Sequence, residues 1–167
     1  TFTGIFQHHG DVYVNINLAG VNQIENDSLV PVKEGHIFAN TDILFGIPFG
    51  KKDVLLGNSD NELFLFNGKN FTEYLIDDKE YVNESYLSDG IELTKDRLVL
   101  STLIGGCLII DKYTGKTMYT INYQTGLPDD EIYAISKDNN NGLWITHPYG
   151  ISLIDLSVPL TNFKFYP

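Results

Sequence analysis

Positive charge is scarce in this 167-residue chain: 11 Lys and Arg face 22 Asp and Glu, for a formal net charge of −11. Nucleic acids and anionic membranes are held by clustered Lys and Arg. No such run occurs here, so neither is expected as a partner; the acidity serves solubility. Arg97 is the only arginine, which leaves no guanidinium pair to clamp an anionic sugar. Cysteine is limited to Cys107, which excludes an intrachain disulfide or a cysteine metal cluster. In the run Cys107-Leu-Ile-Ile110 it reads as a small core residue. No stretch approaches the ~18–20 unbroken apolar residues of a membrane span, and the N-terminus lacks a basic-then-apolar signal pattern. The chain begins inside one expected strand and ends on another, as a piece of something longer would. Helical periodicity is nowhere sustained. Neither Gly-x-Ser-x-Gly, nor His-Glu-x-x-His, nor a phosphate loop is present, so no enzyme chemistry and no cofactor is expected.

What the chain does have is a phrase that returns four times: Asp11-Val-Tyr-Val14, Asp53-Val-Leu-Leu56, Arg97-Leu-Val-Leu100 and Gly142-Leu-Trp-Ile145. The starts lie 42, 44 and 45 residues apart. A period of about 40–45 residues made of short strands signals propeller blades. Upstream of each phrase sits an apolar stretch (Ile5-Phe6, Ile47, Ile91 to Leu93, Ile132 to Ile135). A third follows it (Val21 to Ile24, Leu63 to Phe66, Cys107 to Ile110, Ile151 to Ile154). Turn residues then lead to a fourth (Leu29 to Val32, Phe71 to Ile76, Thr117 to Tyr123, Asn162 to Tyr166). Four strands with turn chemistry between them make one antiparallel blade. The expected fold is therefore all-β, a single β-propeller segment over 1–167 with blades at about 1–40, 41–82, 83–127 and 128–167. The polar segment from Asp77 to Tyr86 has room for a helical turn but reads as the loop between the second and third blades.

The fourth repeat carries a resemblance. Gly126-Leu-Pro-Asp-Asp-Glu-Ile-Tyr-Ala-Ile135, then Asn141-Gly-Leu-Trp-Ile-Thr146, then Tyr149-Gly-Ile-Ser-Leu-Ile-Asp155 resembles the two-component regulator propeller repeat. That pattern runs Gly-Leu-Pro, an apolar strand, an acidic hairpin ending in Gly, Trp-Ile-Gly-Thr, then Gly-Leu and an apolar strand. The match spans about 30 residues here. It weakens in the third blade and is skeletal in the first two, where Glu62 stands in place of Gly20, Gly106 and Gly150. The resemblance implies a propeller of about seven blades in the extracytoplasmic, periplasmic part of a bacterial two-component sensor or related membrane regulator. The full-length protein would then carry a signalling domain such as a histidine kinase. Local chemistry fits: Pro128 fixes φ and forces an extended residue before it, Asn141-Gly142 suits a tight hairpin, and Gly150 lets the backbone turn sharply. Trp144 is expected to be wedged between neighbouring blades, where its ring buries the most area.

Candidate sites are few. His8-His9 at a strand end point to opposite faces, so they read as a solvated hairpin and not as metal ligands. Lys137-Asp138-Asn-Asn-Asn-Gly142 is like a calcium loop only in passing, lacking the downstream bidentate Glu and the flanking helices. Asp129-Asp130-Glu131 reads as turn chemistry. The sequons at Asn26, Asn70 and Asn83 matter only in a eukaryotic source. No metal site is therefore expected. A small-molecule or carbohydrate ligand would meet the loops at the blade ends, with Asn58, Asp60, Asn61, Ile104, Gly105, Asp129, Asp130, His147 and Tyr149 as its rim. The alternative is a purely structural or dimerising module, with homo-oligomers formed through open blade faces. A propeller-fold carbohydrate-active enzyme ranks third, for want of converging catalytic groups.

Overall fold

The computed structural model describes residues 1–155, which fall into two compact units, Thr1–Leu75 and the remainder from Ile76 onward. In the first unit, β1 (Phe2–His8), β2 (Asp11–Ile16), β3 (Gly20–Glu25) and β4 (Ser28–Pro31) form one antiparallel sheet in chain order. A 3-10 turn over Gly35–Phe38 leads to a second sheet: β5 (Ile43–Phe49), β6 (Asp53–Asn58), β7 (Leu63–Phe66) and β8 (Phe71–Glu73). Strands one to three of each sheet follow the repeat read from the sequence; β8 stops three residues short of the expected Ile76.

Alternation places Phe6, Tyr13 and Val21 on one face of the first sheet, where they pack against Val54, Leu56 and Phe66 of the second. Phe38 of the 3-10 turn closes this core. The first strands β1 and β5 lie so close that a Cβ on Gly4 would sit 2.7 Å from the Cβ of Ile43. Glycine is what permits that approach.

The second unit opens with α1 (Lys79–Ser85), followed by β9 (Leu87–Thr94), β10 (Arg97–Thr102), β11 (Cys107–Asp111) and β12 (Thr117–Ile121) in one sheet. A 3-10 turn over Tyr123–Thr125 precedes β13 (Ala134–Lys137), β14 (Leu143–His147) and β15 (Gly150–Ile154), a three-stranded sheet. The fourth strand expected at Asn162 to Tyr166 lies outside the described residues. Val99, Cys107, Ile109 and Ile121 pack against Ile135, Leu143 and Ile145, with Leu127 and Ile132 of the connection buried among them.

Four expectations are corrected here. The segment from Asp77 to Tyr86 contains a short helix, α1, anchored by buried Val82 and Ser85. His8 is buried: its Nε2 hydrogen-bonds to the Lys52 carbonyl at 2.7 Å, and its ring meets that of His9 at 4.4 Å. Only His9 is exposed. Trp144 remains 41% exposed, its indole N–H donating to Asp138 Oδ2 at 3.2 Å. At the Asn141-Gly142 hairpin, Asn141 alone takes the positive φ, 63°. The entry to each third strand does need that conformation: Gly20 (77°), Gly106 (74°) and Gly150 (124°) supply it, and where Glu62 replaces the glycine, Asn61 (63°) supplies it one residue earlier.

Candidate ligand-binding loops

In each unit the loop between second and third strands is tied by backbone hydrogen bonds to the connection between sheets. In the first unit the Leu18 N–H donates to the Ala39 carbonyl at 2.7 Å and the Ser59 N–H to the Asp42 carbonyl at 2.9 Å. Thr41 and Ser59 join their hydroxyls at 2.9 Å. Beneath them buried Asn15 donates from Nδ2 to the Thr41 carbonyl at 2.7 Å and the Phe38 carbonyl at 3.1 Å. In the second unit the N–H groups of Leu103, Ile104 and Gly106 donate to the carbonyls of Tyr86, Ser85 and Asp130 at 2.8, 3.3 and 2.9 Å. The Tyr81 hydroxyl donates to the Gly105 carbonyl, and the Tyr123 N–H donates to the Asp130 carboxylate. Gly105 is required for this closeness, since a Cβ there would lie 2.4 Å from Ser85 Oγ.

The loops' own polar residues are mostly occupied. Asn58, Thr102 and His147 end the second strands at the same place in the repeat, and each folds its side chain into the following loop. Asn58 Oδ1 accepts from the N–H groups of Asp60 (3.1 Å) and Glu62 (2.8 Å), while its Nδ2 donates to Glu62 Oε2 at 3.0 Å. Thr102 Oγ1 accepts from the Gly105 N–H and donates to the Gly106 carbonyl, both at 3.0 Å. His147 Nδ1 accepts from the Tyr149 N–H at 3.3 Å, and its Nε2 pairs with Ser152 Oγ at 2.9 Å. Asn58 and His147 are buried and act as loop caps. Asp129 Oδ1 accepts from the Glu131 N–H at 2.9 Å, an Asx turn.

Open to solvent are Asp60, Ile104 and Tyr149, with Asn61, Asp129 and Asp130 half-buried. Sequence reading missed Tyr86, Leu103 and Tyr123, all exposed and all on the chain of hydrogen bonds that joins α1, the β10–β11 loop and Asp130. Tyr86 stands at φ 61° and ψ 108°, a region that a side chain enters at a cost. The sequence signal for it is weak: one aromatic residue closing a polar segment. Among the described residues no group of three or more His, Cys, Asp or Glu is placed to hold a metal ion. An open groove lined by Gln23, Val30, Pro31, Val32 and Lys69 lies on the first unit, with Lys33 Nζ 3.5 Å from Asn70 Oδ1. No helix among the described residues is long and apolar enough to cross a membrane.

No protein-family model matches the chain, and no curated protein matches it. Solved structures do. The extracellular domain of the hybrid two-component system BT4673 from B. thetaiotaomicron is similar with a TM-score of 0.70 and 18% identity, over 92% of this chain and 23% of that one. The extracellular domain of the hybrid two-component system BT3049 from the same organism gives 0.55 and 19%, over 85% of this chain and 18% of that one. The WD40 β-propeller domain of Doa1 gives 0.62 and 11%, over 92% and 49%. The chain thus spans less than a quarter of the two sensor domains it matches. With the sheet order above, these likenesses establish the fold as all-β propeller blades.

Proposed function

We propose that the chain is a propeller segment of an extracytoplasmic sensor, non-catalytic, whose loops take a small neutral ligand of the carbohydrate class. The fold-level likeness to sensor extracellular domains supports the setting. The observation that carries the ligand reading is the exposed group Tyr86, Leu103, Ile104 and Tyr123 beside Asp129 and Asp130, on backbone fixed by hydrogen bonds. A tyrosine face accepts the C–H face of a pyranose, while carboxylate and carbonyl oxygens accept from its hydroxyls. A fixed backbone lowers the ordering cost of binding. The acidic chain with its lone arginine favours a neutral sugar over an anionic one.

The test is titration of a panel of neutral oligosaccharides, followed by tyrosine fluorescence and by chemical-shift mapping. Binding should perturb Tyr86 and Tyr123, and Tyr86→Ala should weaken it by about tenfold or more, the scale of a lost aromatic contact. Affinity that survives both Tyr86→Ala and Ile104→Ala would place the ligand elsewhere.

A further inference from the structure

Two sheets tie the same loop to the chain that enters them, and only one strains its backbone in doing so. They are the sheet of β5 to β8 and the sheet of β9 to β12. With the repeats aligned on Asp53 and Arg97, Ser59 corresponds to Leu103 and Asp42 to Tyr86. The Ser59 N–H donates to the Asp42 carbonyl at 2.9 Å, and the Leu103 N–H to the Tyr86 carbonyl at 2.8 Å. Asp42 accepts without a positive φ, whereas Tyr86 stands at φ 61° and ψ 108°. The repeat therefore does not demand the strained conformation. A tyrosine held there costs stability, and its ring, 54% exposed, recovers little of that through burial. Strain that the fold does not need points to a role outside folding.

What sets Tyr86 apart is α1, which ends on it: the Tyr86 N–H donates to the Val82 carbonyl at 2.9 Å. Two more bonds bring α1 onto the β10–β11 loop. The Ser85 carbonyl accepts from the Ile104 N–H at 3.3 Å, and the half-buried Tyr81 donates its hydroxyl to the Gly105 carbonyl. Gly105 and Gly106 are held from the other side, their N–H groups donating to Thr102 Oγ1 at 3.0 Å and to the Asp130 carbonyl at 2.9 Å. Every N–H from Leu103 to Gly106 is thus engaged. The Tyr81 bond is the one that a side chain of α1 supplies, so it can be removed without altering the backbone.

We propose that Tyr81 is a positioning residue for the ligand site: its hydroxyl on the Gly105 carbonyl latches α1 to the β10–β11 loop, and the latch holds Tyr86 in the strained backbone that presents its ring. Tyr81 acts through Tyr86 and makes no ligand contact of its own. Because the ring is set before any ligand arrives, the cost of ordering it falls on folding and not on binding. What the ring meets rests on the carbohydrate reading above; the latch itself does not.

Tyr81→Phe removes only the hydroxyl. In the ligand-free chain it should speed hydrogen exchange at Leu103 and Ile104 by about tenfold. It should also move the backbone resonances of Tyr86 towards those of a negative φ. A role confined to holding the fold would instead lower the melting temperature and leave those resonances in place. Strain is read separately from Tyr86→Ala and Tyr86→Gly, which lose the same ring. The glycine variant should melt about 2–4 °C above the alanine one, the reverse of their usual order. Binding is then titrated with cellohexaose and maltohexaose. Tyr81→Phe should weaken it by about tenfold, and the double variant with Tyr86→Ala should bind no worse than Tyr86→Ala alone. Unchanged exchange and resonances in Tyr81→Phe, glycine melting below alanine, or additive losses of affinity would each overturn the latch. If neither glucan binds the wild-type chain, that counts against the carbohydrate reading, while exchange and melting still decide the latch.

Discussion

The two units solve one packing problem with different side chains. In the first, sheet meets sheet through rings: Phe6 stacks on Tyr13 at 5.2 Å, Phe66 stacks on Phe71 at 4.7 Å and meets Tyr13 edge-on at 5.0 Å, and Phe38 meets Phe71 at 5.0 Å. In the second, the same positions carry Val99, Cys107, Ile109, Leu143 and Ile145, with no aromatic residue in the cluster. The position in the repeat sets which face is buried, and the chemistry that fills it is free to change as long as volume is kept. The consequence is energetic. Few large rings concentrate stability in a few residues, whereas many aliphatic groups spread it.

That contrast can be broken most directly at a fully buried ring of the aromatic cluster. Phe66→Ala should cost about 3–5 kcal/mol, the usual range for a buried Phe, and Ile109→Val only about 0.5–1.5 kcal/mol. Hydrogen exchange read unit by unit, beside urea unfolding, checks both. Equal losses would show that the aromatic cluster is not the stronger concentration. Next come the paired glycines. Gly20→Ala and Gly106→Ala each force a side chain into positive φ, with the new Cβ 2.1 Å from the Gly35 carbonyl oxygen and 2.2 Å from the Ile121 one. Each should lose more than about 1–3 kcal/mol, in its own unit alone. Crossed effects would mean that the units unfold as one.

Smaller is the difference at the inner polar position. Asn15 ties β2 to the Phe38 and Thr41 carbonyls, and its Oδ1 is buried without a partner. Its counterpart Ser101 makes only a 2.9 Å contact with the Ser88 hydroxyl and a long 3.4 Å one to the Asp89 carbonyl. Asn15→Ala should cost about 1–3 kcal/mol by orphaning buried carbonyls, and Ser101→Ala about 0.5–1.5 kcal/mol. Thermal melts of the two variants decide it.

The difference between the halves also bears on what could be read from sequence. Strand order and blade phase were legible because period-two alternation and the 42–45-residue repeat reinforce each other, even where Glu62 breaks the glycine pattern. Helix α1 was not, because seven residues with two buried positions carry no amphipathic period. His8 sits beside a turn glycine and looks solvated, yet Phe66, 5.4 Å away, and the Lys52 carbonyl draw it inward. Asn58 and His147 looked like ligand groups because a polar residue at a blade end serves equally as a cap. Only comparison with Thr102, at the same place in the repeat, exposes the role. Tyr86 gave only a weak signal, because the backbone angle it takes as it closes α1 is not written in one aromatic residue.

Acid titration separates hairpin carboxylates from a carboxylate inside a sheet, with effects smaller still. Asp111 lies below its ordinary 3.8 because the Thr114 hydroxyl and N–H and the Tyr113 N–H donate to it. Asp138 lies below it through the N–H groups of Gly142 and Asn140 and the Trp144 indole. Depressed groups contribute stability that is complete above their unfolded value and lost as pH falls through the folded one, so these hairpins should loosen only below pH 3.8. Asp89 is the opposite case: partial burial beside Cys107 raises it, against the lowering donated by the Gly90 N–H. Ionised at neutral pH it disfavours the fold, and that penalty fades as pH drops through its raised value towards 3.8. Asp89→Asn should therefore raise the melting temperature at pH 7 and flatten the profile just above 3.8, while Asp138→Asn should remove part of the acid limb below it. Melts from about pH 3 to pH 8 distinguish the two. A lower melting temperature for Asp89→Asn at neutral pH would show that the carboxylate makes a contact worth more than its desolvation.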